Sequence, residues 1–228
     1  AEAIDIIANK LSNGGRLIYF GCGTSGRLGI LDASECPPTF STEPSMVQGI
    51  IAGGEKAFTT AVEGAEDNFE QGKEDAKILT KDDVCVVISA SGNPKYLLGV
   101  LETANEIGVK TIAVTCNNKA KIGEEVTVCI CAEVGAEVIA GSSRLKAGTA
   151  QKMILNMLST GSMIKIGKTY KNFMIDLKAT NDKLKDRAIR IVSQIAETTN
   201  ARALEALLES NWDIKTSVAS IVMNLSIE

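Results

Sequence analysis

The stretch RLIYFGCGTSGRLGILDASEC, residues 16–36, decides the fold. Residues 16–20 form an apolar run that predicts a strand, Gly21-Cys22-Gly23-Thr24-Ser25-Gly26 predicts a tight loop, and residues 27–35 predict a helix that Pro37-Pro38 ends. Backbone N–H groups, the Thr24 and Ser25 hydroxyls and the dipole of a helix start all favour a bound anion. The spacing Gly21-x-Gly23-x-x-Gly26 also matches a dinucleotide fingerprint, which needs an acidic residue about 20 positions on, closing the second strand. The second apolar segment, residues 46–52, instead closes on Gly53-Gly54, and Glu55 comes too late. A terminal phosphate monoester therefore suits the loop better than a nicotinamide dinucleotide; a plain tight turn is the alternative without a ligand.

The same order recurs downstream. Residues 84–89 (VCVVIS) are continuously apolar and β-branched, as a strand buried on both faces requires, and a Gly/Ser loop then leads to a helix starting at Pro94. Residues 57–62 read as helical, and Glu66-Asp67-Asn68 open a polar helix reaching about Leu79. Residues 109–115 and 125–131 predict two more strands, and a loop over 135–148 leads into a long helix in which Gly161 permits close approach of a neighbour. From Asn181 onward only helices are expected, over 184–197, 201–210 with Asn200 as a candidate cap, and 213–225. These elements predict an α/β protein: a doubly wound, mainly parallel sheet flanked by helices over residues 1–180, then a small three-helix, UBA-like domain over 181–228.

Composition narrows the function. A formal net charge of −4 with 23% charged residues argues against nucleic acid and membrane surfaces as partners. The six cysteines lie mostly in or beside strand-like runs and read as reduced thiols of a cytoplasmic protein. No apolar run is long enough to span a bilayer and no charged-then-apolar leader opens the sequence. Ala1 falls inside an apparent helix, which predicts a longer natural chain upstream. The absence of histidine removes the commonest general base and metal ligand, so protons must move through carboxylates, Lys, Tyr or Cys.

Two carboxylates stand out. Glu35 falls in the last turn of the helix expected over 27–35, where negative charge is disfavoured, and Glu66 in a first turn, where it is favoured. Two carboxyls pushed in opposite directions are what an acid–base pair needs, although acidic first-turn residues are also ordinary helix starters. Gly161–Thr169 has the wrong glycine spacing and context for a nucleotide-binding loop, and Cys129-x-Cys131 lacks a second ligand pair, so neither is read as a nucleotide or metal site.

GRLIYFGCGTSGRLGILDASECPPTF, AVEGAEDN, EVIAGSSRLKAGTAQKMILNMLSTG and KATNDKL resemble, in order and at matching intervals, the N-acetylmuramic acid 6-phosphate etherases of the sugar isomerase (SIS) domain superfamily. The vertebrate glucokinase regulatory protein looks like a relative with the same domain type. The resemblance implies cleavage of the D-lactyl ether of a sugar phosphate by elimination and hydration, without cofactor, in peptidoglycan recycling. It places the proton donor to the leaving lactate on Glu35 and the C2 base on Glu66. It places phosphate contacts on Thr24, Ser25, Ser89 and Ser91, and substrate contacts in the loop of Glu137, Ser142, Ser143, Arg144 and Lys146. It further implies a homodimer with sites at the interface. The family's usual Ala-Ser-Gly-Arg-Thr-Pro is Ala90-Ser-Gly-Asn-Pro-Lys95 here. A non-catalytic sugar-phosphate regulator and a phosphosugar isomerase are the rival readings.

Overall fold

Five short apolar runs pair into one parallel sheet in the computed structural model, which describes residues 1–227. Glu228, the last residue of the expected C-terminal domain, lies outside the described residues. The strands are β1 (Leu17–Gly21), β2 (Val47–Ile51), β3 (Val84–Ser89), β4 (Lys110–Thr115) and β5 (Val128–Cys131), in the order β2-β1-β3-β4-β5. α1 (Glu2–Ser12) precedes them, α2 (Gly23–Phe40), α3 (Lys56–Thr59), α4 (Phe69–Ala76) and α5 (Lys95–Ile107) run between them, and α6 (Lys146–Lys165) follows.

Strand alternation sends side chains to two helical layers. Ile18, Phe20, Cys85, Val87 and Ala113 pack with Tyr96, Leu97, Val100 and Ala104 of α5 and Ala76 of α4. On the opposite face α2 lies close to the sheet at Gly29, where a Cβ would stand 2.9 Å from Tyr19 Cβ. Gly161 brings α6 against α1, since a Cβ there would meet Ile4 Cδ1 at 2.8 Å. The buried Asp32 carboxylate ties α2 to α6, accepting from Tyr19 Oη at 2.8 Å, Asn156 Nδ2 at 2.7 Å and Ser159 Oγ at 3.1 Å.

Arg16 and Asp83 fasten the starts of β1 and β3. Asp83 is buried and accepts from Arg16 N, Nε and Nη2 and from Thr80 N and Oγ1, all at 2.7–3.0 Å. Burial alone would raise the Asp83 carboxyl, but the Arg16 and Thr80 bonds outweigh it and hold the group below the usual aspartate range. The pair therefore adds stability above the ordinary aspartate value near about 4 and loses it as pH falls through the lower folded-state value. Asp83→Asn is expected to lower the urea midpoint at pH 7 and to flatten its decline between about pH 5 and 2. A decline equally steep in the variant would assign the acid sensitivity to another group.

Two compact units divide the described residues. One comprises 1–35 with 43–166, and the other 36–42 with 167–227. In the second unit α7 (Asp182–Ile195), α8 (Asn200–Glu209) and α9 (Ile214–Met223) enclose Ala188, Ile191, Val192, Ala203, Leu207 and Ile214. Asn181, Thr199 and Asp213 cap them through their side chains, so the cap of α8 is Thr199, one residue before the expected Asn200. Asp176 accepts ion pairs from Lys168 at 2.9 Å and Lys215 at 2.7 Å. Among the described residues no helix is long and apolar enough to cross a membrane.

The first helix after β1 departs from the sequence expectation at both ends. It begins at Gly23, so Thr24, Ser25 and Gly26 form its first turn, and it runs through Pro37 and Pro38 to Phe40. Each proline forfeits its own bond to the carbonyl four residues back, and only Thr39 and Phe40 of the helix follow them. The burial of Cys36 and Phe40, one turn apart, holds this last segment in helical form.

Candidate active site

The strand order reverses between β1 and β3, and an open parallel sheet takes its ligand outside the carboxyl ends of the strands at such a point. Gly21 ends β1 and pairs with Ile88, which places Ser89 beside Cys22. Both Gly/Ser loops read from the sequence thus flank one crevice.

Gly21 and Gly26 shape the first loop by contact. A Cβ on Gly21 would stand 2.5 Å from Gly26 N, and one on Gly26 would stand 2.7 Å from Gly21 O and 2.6 Å from Ile51 Cγ1. Gly23 starts α2 at φ +52°, a conformation that costs other residues more. Ser25 is buried and donates to Gln151 Oε1 at 2.9 Å. Gln151 lies on α6 and is 1% exposed. The half-buried Thr24 faces Gly148 in the first turn of α6, where a Cβ would lie 3.6 Å from its Cγ2. The N-terminal turns of α2 and α6 therefore meet at the crevice, and their dipoles favour an anion there.

Ser89 Oγ accepts from Gly92 N at 3.0 Å and lies 3.4 Å from Ser91 Oγ. The Ser91 carbonyl accepts from Asn117 Nδ2 at 2.9 Å, which joins the loops after β3 and β4. Pro94 occupies the position before α5 and Lys95 its exposed first residue. Glu137 accepts from Lys146 N at 3.0 Å and Ala147 N at 2.9 Å. The Ala147 bond foremost holds its carboxyl below the usual range. Glu137 thus serves as an ionised cap on α6. The Ser143 carbonyl accepts from Gly148 N at 3.0 Å; Ser142 is half-buried, and Ser143, Arg144 and Lys146 are exposed beside this helix start.

Glu66 is exposed in a single 3₁₀ turn, Ala65–Asp67, ahead of α4, whose cap is Asn68. It lines a cavity of about 180 Å³ together with Cys22, Gly23 and Arg27. Burial first, then the charges of Glu66 and Asp67, push the Cys22 thiol up to about 12, so it stays protonated at neutral pH. Arg27 Nε donates to Phe58 O at 2.9 Å and fixes the guanidinium at this wall.

Glu35 lies elsewhere. It is exposed in the interior of α2, eight residues beyond Arg27, or about 12 Å along the axis at the usual rise per residue. Neither glutamate occupies the helix end expected of it, because α2 continues past Glu35 and α4 begins after Glu66. Helix ends therefore do not set the two carboxyls apart. One edge of the sheet gathers Thr24, Ser25, Ser89, Ser91, Glu66 and the α6 start with Glu137, while Glu35 stands apart within the chain. Arg27 and Gln151 carry no sequence signal beyond their place in the GTSGR and AGTAQK runs. Among the described residues no group of three or more His, Cys, Asp or Glu side chains is arranged to hold a metal ion.

Comparison with known proteins adds names to this geometry. Residues 1–105 match the N-terminal SIS domain of glucokinase regulatory protein, 59–161 the SIS domain, and 171–227 the C-terminal lid domain of glucokinase regulatory protein. The chain is 51% identical over its full length to N-acetylmuramic acid 6-phosphate etherase of Vibrio atlanticus, spanning 75% of that protein. It is 49% identical over 99% of its length to the Clostridium beijerinckii protein of the same name, again spanning 75% of it. A phosphoheptose isomerase structure from Francisella tularensis superposes with a TM-score of 0.53 at 23% identity, over 72% of this chain and 86% of that one, and shows the shared fold.

Proposed function

This chain belongs to the N-acetylmuramic acid 6-phosphate etherase family, and we propose that it cleaves the D-lactyl ether at C3 of N-acetylmuramate 6-phosphate. The products are N-acetylglucosamine 6-phosphate and D-lactate, and the enzyme is a carbon–oxygen lyase. The observation that carries this reading is the 51% identity sustained over the whole chain. The crevice supports it, because two helix N-termini and the Thr24, Ser25, Ser89 and Ser91 hydroxyls suit a sugar phosphate beside Glu66.

In the proposed sequence the sugar opens to its aldehyde, which acidifies the C2 proton. Glu66 takes that proton, the C3–O bond breaks, and the lactate oxygen receives a proton from Glu35. Water then adds across the C2–C3 double bond, with hydroxide at C3 and a proton returned to C2. Such a reaction serves peptidoglycan recycling in the cytoplasm. A homodimer in which the partner brings its own Glu35 to the crevice is supported by the separation of Glu35 from Glu66 on one chain. The exposed Met153, Met157 and Ile164 on α6 give a second copy an apolar surface to cover.

Incubation with N-acetylmuramate 6-phosphate in deuterated water is expected to release D-lactate and to leave deuterium at C2 of the product. Lactate without C2 deuterium would exclude elimination. The matches to glucokinase regulatory protein domains favour a second reading, a sugar-phosphate-binding regulator, which tight binding with neither product would establish.

A further inference from the structure

We infer that the cavity between α2 and the loop over residues 52–66 receives the acetamido group on C2 of the sugar, with Arg27 binding its carbonyl. The inference takes the identity of the sugar from the etherase reading. At about 180 Å³ the cavity has room for the four heavy atoms of an acetamido group. Its apolar wall is made of small side chains, Ala52, Ala57, Ala61, Val62 and Ala65, which suit a methyl group. Arg27 is the single cation among its lining residues, and its bond to Phe58 O leaves the terminal guanidinium N–H groups to donate. Glu63 and Glu66 line the same space and accept.

An acetamido group presents the matching set: a methyl, a carbonyl acceptor and an N–H donor. A carboxylate fits less well, because it would meet two glutamates and one arginine. Position agrees with chemistry, since the acetamido group hangs from the carbon whose proton Glu66 removes, and the same short loop carries both Glu66 and the cavity wall. A sugar with a hydroxyl at C2 would leave the methyl space unfilled and Arg27 without its acceptor.

Calorimetric titration with N-acetylglucosamine 6-phosphate and with glucose 6-phosphate tests this without turnover. The wild-type protein is expected to bind the acetamido sugar about tenfold or more tightly. Ala61→Leu, at an exposed position of the cavity wall, fills the methyl space, and Arg27→Met removes the donors. Both variants are expected to bring the two affinities within about threefold of each other while leaving that for glucose 6-phosphate nearly unchanged. Equal weakening of both sugars, an unaltered ratio in variants with wild-type melting temperature, or no wild-type preference would overturn the assignment. Lactate release is scored separately. A protein that discriminates the sugars but releases no lactate keeps the cavity and loses the reaction.

Discussion

Glu66→Gln is expected to lower lactate release by about 10³-fold and to suppress C2 proton exchange to the same extent, with little change in sugar-phosphate affinity. The substitution keeps the shape of an exposed side chain, so the fold has no reason to change. What it removes is the proposed proton acceptor on the wall of the cavity. No histidine stands by to replace it, and the neighbouring Cys22 is a protonated thiol at neutral pH, with its value pushed up to about 12. Glu63 lines the same cavity and is the natural control. Glu63→Gln is expected to spare C2 exchange within about tenfold. Full exchange in Glu66→Gln together with loss in Glu63→Gln would transfer the base to Glu63.

The sheet was legible because its signal is local. A strand buried on both faces must be apolar throughout, and VCVVIS and the run before Gly21 have no other reading. The Gly/Ser loops were legible for the same reason, since the backbone at Gly21 and Gly26 admits no side chain. The ends of α2 were not, because burial of Cys36 and Phe40 overrides the local penalty of two prolines. The cavity beside Glu66 was hidden as well. Its wall joins Arg27 to a loop some thirty positions on through a backbone carbonyl, Phe58 O, which has no signature in residue type. The resemblance names Glu137 as a substrate-loop residue. Its use as a cap on α6 depends on how the loop folds back onto Lys146 and Ala147.

The separation of the two glutamates sets up the other large effect. Glu35→Gln alone is expected to lower lactate release by about 10²-fold or more while retaining C2 exchange, because the base still works when the leaving group lacks its acid. If each site joins Glu66 of one chain to Glu35 of its partner, the two inactive variants repair each other. Unfolding Glu35→Gln and Glu66→Gln together and refolding them as a mixture forms heterodimers in about half of the molecules, each with one intact site and one doubly altered site. The mixture should then recover about a quarter of wild-type activity per chain. Sites confined to one chain allow no recovery, since every chain in the mixture carries a lesion. Glu35 stands eight positions beyond Arg27 on α2, and a rigid helix cannot shorten that path. Recovery is therefore the expected result, and its absence would require a second carboxyl or a water within the same chain to protonate the departing lactate.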